Sequence, residues 1–388
     1  MLRRVRAKGG LSRVQLAREL KLAPSTAGIY VDRLLRDGFL LETEAAEREI
    51  AGRPPTTLIP RPEGGRFVGV DFEARNLMAT VVDFSLRPLR QVHKRIRSAD
   101  SAAQILVKIT QAIEELMEGD ARPVLGIGLG VPGTIDPARN LALQYDFIPG
   151  WSNVPLGQRL GERFGVPVFL ENNIRSMALA ELWFGAGQGL RNFVCIGIRS
   201  GIAAGVVVDE QLLHGAEHRA GEIGHWVCPV PAELAPGTNG RRGDSWAAQT
   251  GARLEQIASL PAIVAAAQRG RERGDATSLA AVEGELTIDD VLAAARQQDE
   301  LAVSLVRAVA RVQGWVAYQL DQLFDPERII FAGPLADLGE LFLATVRRTV
   351  LELGEAGRTA AITSSTLGQY NGAVGAAALA LHQWKPKR

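Results

Sequence analysis

The chain has 388 residues, of which 46% are apolar and 22% are charged. This composition is typical of a folded protein of two or three domains and excludes a disordered chain. The apolar stretches fall short of the ~18 residues that span a bilayer. Neither an apolar segment nor a cleavage site follows the basic N-terminus, so we expect no signal peptide. The expected location is therefore cytoplasmic, with no membrane partner.

The net charge of +1 is unevenly distributed along the chain. Residues 1–40 contain nine basic and three acidic residues, a net charge of +6, which leaves the remainder slightly acidic. A basic segment on an acidic body indicates a polyanionic partner for that segment, although a solvated basic face has the same composition.

Residues 11–41 have the pattern of a winged helix-turn-helix. Ser12 and Gln15 form a capping box for a first helix that is expected to end near Lys21. Pro24 suits the first position of a second helix, which Asp37-Gly38 ends before a strand that begins the wing. Helical spacing predicts that four residues of this second helix face the core: Ala27, Tyr30, Val31 and Leu34.

The second helix presents polar and basic side chains at the end that enters the major groove in this motif. The predicted DNA contacts are Ser25, Thr26, Ile29 and Arg33 from this helix, and Arg13 from the first helix. The expected partner is a two-fold operator in double-stranded DNA, read by a dimer. A small helical subdomain without a DNA role is the alternative.

A proline-rich stretch, "AGRPPTTLIP" (51–60), is interpreted as the start of a linker over 51–62, which places the DNA-binding domain at 1–50. Arg53 within it is either a minor-groove contact, as in extended basic arms, or an ordinary linker residue.

The body alternates strands and helices in an α/β order. Three paired strands (66–72, 77–84 and 89–96), a helix (101–118) and a strand into a glycine-rich turn (123–136) come first. A second glycine-rich strand pair (193–208), a long helix (299–324), a strand (328–333) and a final helix (371–382) follow. We predict two lobes, 63–185 and 186–388, with the final helix able to pack back on the first lobe.

A polar cluster marks the point where an apolar strand meets a helix. Glu171, Asn172 and Asn173 follow the run from Val166 to Leu170, at the type of position where open α/β sheets bind ligands. A carboxylate is able to act as a general base, whereas an amide cannot accept a proton at neutral pH.

The segments "GIGLGVPGTID", "LENNIRSMALAELWFGAG" and "HRAGEIGHW", together with the winged head and "GRPP", resemble the ROK family of repressors and sugar kinases. The resemblance covers roughly residues 11–382. It implies a two-lobed actin-like, hexokinase-type (RNase H-like) body with a sugar bound between the lobes, ATP in kinase members and often a structural zinc.

The chain departs from the kinase pattern at each position that would bind phosphate. Glu73 and Arg75 stand where kinases have a glycine and a threonine, and Arg199 and Ala203 replace glycines of the second phosphate loop. Asn173 occupies the position of the aspartate that accepts the proton of the attacking sugar hydroxyl. We therefore expect no ATP-dependent phosphorylation and no cofactor.

The zinc pattern is also absent from the sequence. His225 is kept, but Gly237, Asn239 and Asp244 stand at the cysteine positions, which predicts no structural zinc. Cys195 and Cys228 are expected to be buried free thiols, in preference to a disulfide or a metal site.

The resemblance implies that Asn172, Asn173, Glu222 and His225 contact sugar hydroxyls, although Glu222 and His225 also allow a structural interpretation. Trp246 aligns with the family's last sugar-contacting glutamate, where it either stacks on a sugar face or packs in the core.

Together these features favour a transcriptional regulator, most readily a repressor, whose body senses a sugar or related polyol. We expect it to act as a homodimer or tetramer. A sugar kinase with an accessory DNA-binding head is the main alternative. A regulator controlled by a protein partner is the third.

Overall fold

The computed structural model describes residues 1–44, 56–235, 251–354 and 360–385. It contains two compact units: unit 1 comprises Met1–Asn173 and Gly372–Arg388, and unit 2 comprises Ile174–Asn371. The predicted lobe boundary after residue 185 therefore needs correction. The division falls at the first turn of a helix that begins at Asn173, so most of that helix belongs to unit 2.

In the N-terminal part of unit 1, residues 1–44 and 56–60 form a small head around its own core. Its elements are α1 (Leu2–Ala7), α2 (Arg13–Glu19), α3 (Pro24–Arg36), β1 (Leu40–Glu44) and β2 (Thr56–Pro60). β1 and β2 pair antiparallel, and the fully buried Leu58 of β2 packs in the same cluster as Leu16, Val31 and Leu40. The head therefore extends beyond residue 50, and residues 56–60 of the predicted linker are a strand.

The local signals for the two central helices are confirmed. The Ser12 side chain accepts from the Gln15 N–H at 3.2 Å, and the Gln15 side chain accepts from the Ser12 N–H at 2.8 Å. Pro24 lies at the start of α3, and Gly38 follows its end with φ of 77°. The prediction for Tyr30 is wrong, because that side chain is 52% exposed while Val31 beside it is fully buried.

The rest of unit 1 is built on a five-stranded sheet of order β10-β6-β3-β4-β5. Its strands are β3 (Arg66–Phe72), β4 (Asn76–Asp83), β5 (Pro88–Arg95), β6 (Val124–Val131) and β10 (Val168–Asn172), as the alternation of apolar runs predicts. A smaller sheet and one helix complete this part: β7 (Thr134–Asp136), β8 (Leu141–Gln144), β9 (Ser152–Val154) and α5 (Leu156–Phe164).

Helices cover both faces of this sheet. α4 (Ala102–Met117) packs on the face that carries Val68 and Val70. The C-terminal helix lies on the opposite face, where a Cβ on Gly69 or on Gly128 would overlap its backbone. Glycine is needed at both positions because helix and strand touch without a side chain between them.

Unit 2 repeats the plan with a sheet of order β13-β12-β11-β16-β17. Its strands are β11 (Phe193–Ile198), β12 (Ile202–Val208), β13 (Gln211–Leu212), β14 (Val227–Cys228), β15 (Ala252–Arg253), β16 (Arg328–Ala332) and β17 (Ala361–Ser364), with β14 paired to β15. Its described helices are α6 (Asn173–Phe184), α7 (Leu254–Ala258), α8 (Leu260–Arg273), α9 (Ile288–Arg296), α10 (Glu300–Phe324) and α11 (Glu340–Leu353). The C-terminal helix of unit 1 is α12 (Asn371–Gln383).

Two further predictions concern the cysteines and the membrane. Cys195 and Cys228 are buried and free, as expected. Among the described residues, no helix is long and apolar enough to cross a bilayer.

Candidate functional site

The polar cluster of unit 1 lies where β10 runs directly into α6. β10 is parallel to β6, with Glu171 opposite Gly130 and Asn172 opposite Val131. Glu171, Asn172 and Asn173 are 2%, 4% and 6% exposed, so three polar side chains are buried together at the carboxyl end of a parallel strand. Burying polar groups costs free energy unless they are hydrogen-bonded, so such a cluster is typical of a ligand-binding position.

Asn172 is fixed by its neighbours. Its backbone N–H donates to Oε1 of Glu171 at 2.8 Å, and its side-chain amide donates to the carbonyl oxygen of Gly133 at 3.1 Å. Gly133 has φ of 74° and closes the turn between β6 and β7. The glycine-rich turn of the sequence therefore orients an amide.

An aromatic pair beside this turn was missed by the sequence analysis. A Cβ on Gly133 would lie 3.0 Å from the Cβ of Tyr145, so the tyrosine packs directly on the turn that holds Asn172. The ring centroids of Tyr145 and Phe147 are 5.4 Å apart, and Phe147 is 49% exposed. An amide held by Gly133, with a partly exposed tyrosine packed on the same turn and an exposed phenylalanine next to it, offers hydrogen bonds and apolar surface, the combination that suits a sugar. The signal was present as the two aromatic residues in "LQYDFI".

In unit 2, Glu222 and His225 lie three residues apart on a tight turn. Gly221, with φ of 85°, precedes the short 3₁₀ turn Ile223–His225 and packs against the Ala204 carbonyl of β12. Burial raises the pKa of Glu222, and the neighbouring Arg175 and His225 oppose that rise. The His225 side chain is 52% exposed, with Nδ1 3.8 Å from Oε1 of Glu255. A partly buried acceptor next to an exposed imidazole is able to bind vicinal hydroxyl groups.

Arg175, on α6, is a second residue that the sequence analysis missed. It is only 2% exposed, and its Nη1 donates to the carbonyl oxygens of His218 at 2.9 Å and Ala220 at 3.4 Å. Arginine is rarely buried unless it is paired. Here it holds the loop that leads into Glu222 and places a positive charge near that carboxyl group. A single arginine in the apolar run "NIRSMALAEL" was the available signal.

At the positions that correspond to the kinases' phosphate-binding turns, Glu73, Arg75 and Arg199 make backbone hydrogen bonds. The Glu73 N–H donates to the Asn76 carbonyl at 2.9 Å, and the Arg75 carbonyl accepts from the Ile96 N–H at 2.8 Å. In unit 2 the Arg199 N–H donates to the Gly201 carbonyl at 2.9 Å. Each of these three backbone groups, in the turns that connect the strands, therefore already has a hydrogen-bond partner.

Several predicted positions lie outside the described residues. They are Arg53 of the linker, Trp246 of the ligand set, and Gly237, Asn239 and Asp244 at the cysteine positions of the family's zinc loop. Within the ranges that the structure describes, no group of three or more His, Cys, Asp or Glu side chains is arranged to hold a metal ion.

The predicted DNA-contacting residues lie on α3 and α2 of the head. Ser25, Ile29 and Arg33 are exposed, and Ile29 reaches 70% exposure, whereas Thr26 is partly buried. Tyr30, 52% exposed, joins this outward face instead of the core. Exposed apolar side chains on a helix at the basic end of a chain fit contact with the thymine methyl group.

Arg13 has partners inside the head. Its guanidinium donates to Asp32 of α3 at 2.6 Å and to Glu42 of β1 at 2.7 Å, and these hydrogen bonds raise the pKa of Arg13. The residue therefore ties α2 to α3 and to the wing.

Comparison with known proteins places these sites in a family. The ROK family profile matches residues 67–383. The chain is 25% identical to the DNA-binding transcriptional repressor Mlc of Escherichia coli, over 88% of this chain and 82% of that protein. It is 32% identical to a glucokinase of Streptomyces coelicolor, over 81% of this chain and 98% of the glucokinase.

A solved ROK family transcriptional regulator, described as a homologue of Mlc, superposes with a TM-score of 0.76 at 26% identity. The superposition covers 95% of this chain and 91% of the solved regulator, so most of the head has a counterpart in that structure. The superposition confirms the predicted α/β fold class of the body. The chain belongs to the ROK family.

Proposed function

We propose that this chain is a DNA-binding transcriptional regulator, acting as a repressor, whose body binds a sugar or related polyol without phosphorylating it. A homodimer places two heads on a two-fold operator. No cofactor and no structural zinc take part.

The head supports the DNA-binding role. α2, a short turn, α3 and the β1–β2 pair have the order of a winged helix-turn-helix, and α3 presents Ser25, Ile29 and Arg33 to solvent. The matches to Mlc and to the solved regulator cover 88% and 95% of the chain. The glucokinase match covers nearly all of the glucokinase but only 81% of this chain, which leaves residues without a counterpart there.

The proposal that the body does not phosphorylate its sugar depends on Asn173. The family's kinases use an aspartate at this position as a general base, and an amide cannot replace it. Loss of a general base typically costs ~10²–10⁴ in rate. Glu73 adds a carboxylate and a longer side chain at the first phosphate turn, which opposes a polyphosphate.

The same residues support sugar binding. Asn172 and Asn173 in unit 1 and Glu222 and His225 in unit 2 provide donors and acceptors for hydroxyl groups. Tyr145 and Phe147 join this set as an apolar surface beside Asn172. Trp246 and Arg53 keep their proposed roles, stacking on the sugar and contacting the minor groove.

A sugar kinase with an accessory head is the second candidate, favoured by the 32% identity to the Streptomyces coelicolor glucokinase.

The two candidates differ in whether the protein phosphorylates sugars with ATP. With ATP and a panel of hexoses, pentoses and amino sugars that includes D-glucose and D-xylose, we expect coupled assays to match the enzyme-free blank.

The variant Asn173→Asp restores only the general base and should stay at the same blank, because Glu73 and Arg199 still occupy the phosphate turns. Wild-type turnover near ~1 s⁻¹, within the usual range of enzymes, would identify the chain as a kinase. Activity in Asn173→Asp alone would show that the phosphate turns remain competent.

A further inference from the structure

Four aromatic side chains from distant parts of the chain meet where the head joins the sheet of unit 1. Phe39 precedes the wing strand, Phe67 lies on β3, Phe84 follows β4, and Trp384 follows α12. The ring centroid of Phe39 is 5.2 Å from that of Phe84 and 5.1 Å from that of Trp384, and Trp384 is 6.0 Å from Phe67. We call these four residues the junction cluster.

A cation and backbone hydrogen bonds reinforce the junction cluster. The Arg6 guanidinium of α1 lies 4.4 Å from the ring centroid of Phe84, and its Nε donates to the Phe84 carbonyl at 3.1 Å. Burial lowers the pKa of Arg6 to about 9, so it stays charged near neutral pH and keeps its attraction to the ring face. The Arg61 N–H donates to the Phe39 carbonyl at 3.1 Å, and the Phe84 N–H donates to the Pro62 carbonyl at 3.3 Å.

α12 packs on the sheet of unit 1 and leads into Trp384 of the junction cluster. At its start, a Cβ on Gly372 would lie 2.5 Å from Cγ of Asp71, and further along it touches the sheet backbone at Gly69 and Gly128. Its 13 residues span ~20 Å. Because helix and sheet touch without side chains between them, α12 and the Trp384 that follows it move with the sheet.

We propose that the junction cluster clamps the head in one orientation on unit 1, so that the body sets the spacing between the two operator half-sites. The inference rests on the proposed DNA-binding function. Heads tethered by a flexible chain would bind half-sites over a range of spacings, because a flexible tether keeps a usable effective concentration over many lengths. Clamped heads bind only where both half-sites face them.

The test compares spacing selectivity in the full-length wild type and in Trp384→Ala. Three duplexes are used: an operator selected with the wild type, the same operator with ~5 base pairs inserted between its half-sites, which is half a helical turn, and a single half-site. We expect the insertion to weaken wild-type binding by more than ~30-fold and Trp384→Ala binding by less than ~3-fold. Single half-site affinities should agree within ~2-fold.

Two matched variants complete the design. Trp384→Phe keeps an aromatic ring and should retain most of the selectivity. Val107→Ala removes an exposed apolar side chain of α4, 53% exposed, and should behave as the wild type. If Trp384→Ala loses single half-site binding, its head is misfolded. Arg6→Met, which removes the cation and its hydrogen bond to the Phe84 carbonyl but keeps all four rings, is then expected to give a smaller loss of selectivity.

Equal spacing selectivity in the wild type, Trp384→Ala and Arg6→Met would overturn the clamp, and so would a wild type that tolerates the insertion. A wild type that binds no duplex specifically would instead refute the proposed function, which is a different result.

Discussion

Glu222 is a carboxyl group that the fold holds in a largely buried turn, at a cost in free energy. Burial raises its pKa, so the folded protein binds a proton more tightly there than the unfolded chain does. Stability then falls as the pH rises from the ordinary glutamate pKa, ~4.3, through the raised one. Binding sites commonly keep such costly groups because a ligand uses them.

We therefore predict that Glu222→Gln raises the melting temperature of the sugar-free protein at pH 7–8 and that this gain disappears near pH 4. The amide has the same shape without the buried charge, and at low pH the glutamate is itself neutral. Thermal unfolding over a pH series measures this, with the exposed Glu217→Gln as the control.

The same variant should bind the best sugar from a thermal-shift screen more weakly, because an amide is a poorer hydrogen-bond acceptor than a carboxylate. A gain in stability without any loss of sugar affinity would assign Glu222 a structural role.

Residues of the candidate site divide into those that sequence predicted and those that only the fold revealed. Asn172 and Asn173 were proposed because they lie together where an apolar strand meets a helix, and Glu222 because its segment resembles a motif of the family. Arg175 and Tyr145 act on such motifs from other segments, through the loop before Glu222 and through Gly133. Contacts of that kind depend on tertiary structure, which periodicity and spacing do not encode.

In the head, too, the sequence predicted the helices that have local signals but not the elements that form through tertiary contacts. The capping box of α2 and the proline of α3 are local signals, and both helices were predicted. α1 has six residues, fewer than two helical turns, which is too short to show a repeating apolar pattern, and β2 follows two prolines, so neither was recognised. Both form through burial, with Val5 and Leu58 fully enclosed in the head core.

At the scale of the two head helices, Ser25 and Arg13 should affect DNA binding differently. Ser25→Ala removes an exposed polar group at the end of α3 that we propose contacts base edges, so we expect relaxed preference at one or two base pairs. Arg13→Met removes two partly exposed ion pairs, each worth ~0.2–1 kcal/mol, and loosens the head as a whole.

We therefore expect Arg13→Met to weaken all operator sequences about equally. Affinities for the selected operator and its single-base variants provide the measurement. A change of preference confined to one base pair in Arg13→Met would place that side chain on the DNA instead of within the head.

At the scale of the whole molecule, the proposed ligand residues come from both units and the head belongs to unit 1. If the sugar and the operator favour different conformations of the protein, each ligand weakens the binding of the other by the same factor.

We predict that saturating sugar, chosen from the thermal-shift screen, weakens operator binding ~5–150-fold, the range set by coupling of ~1–3 kcal/mol. Operator affinity is measured with and without that sugar, in the wild type and in Glu222→Gln, whose sugar-free affinity should be nearly unchanged. Equal affinities at saturation would favour control by a protein partner, and tighter binding would reverse the sign of regulation.

Unit 1 is assembled from the two ends of the chain, so it stays incomplete during most of translation. Phe39, Phe67 and Phe84 leave the ribosome long before Trp384 does. At ~5–20 residues per second, the roughly 200 residues of unit 2 take ~10–40 s to synthesise. A prematurely terminated chain keeps the contacts of Arg6, Phe39 and Phe84 but lacks α12 and the Trp384 ring. If the proposed clamp holds, we expect such truncated products to compete poorly with finished molecules for the operator.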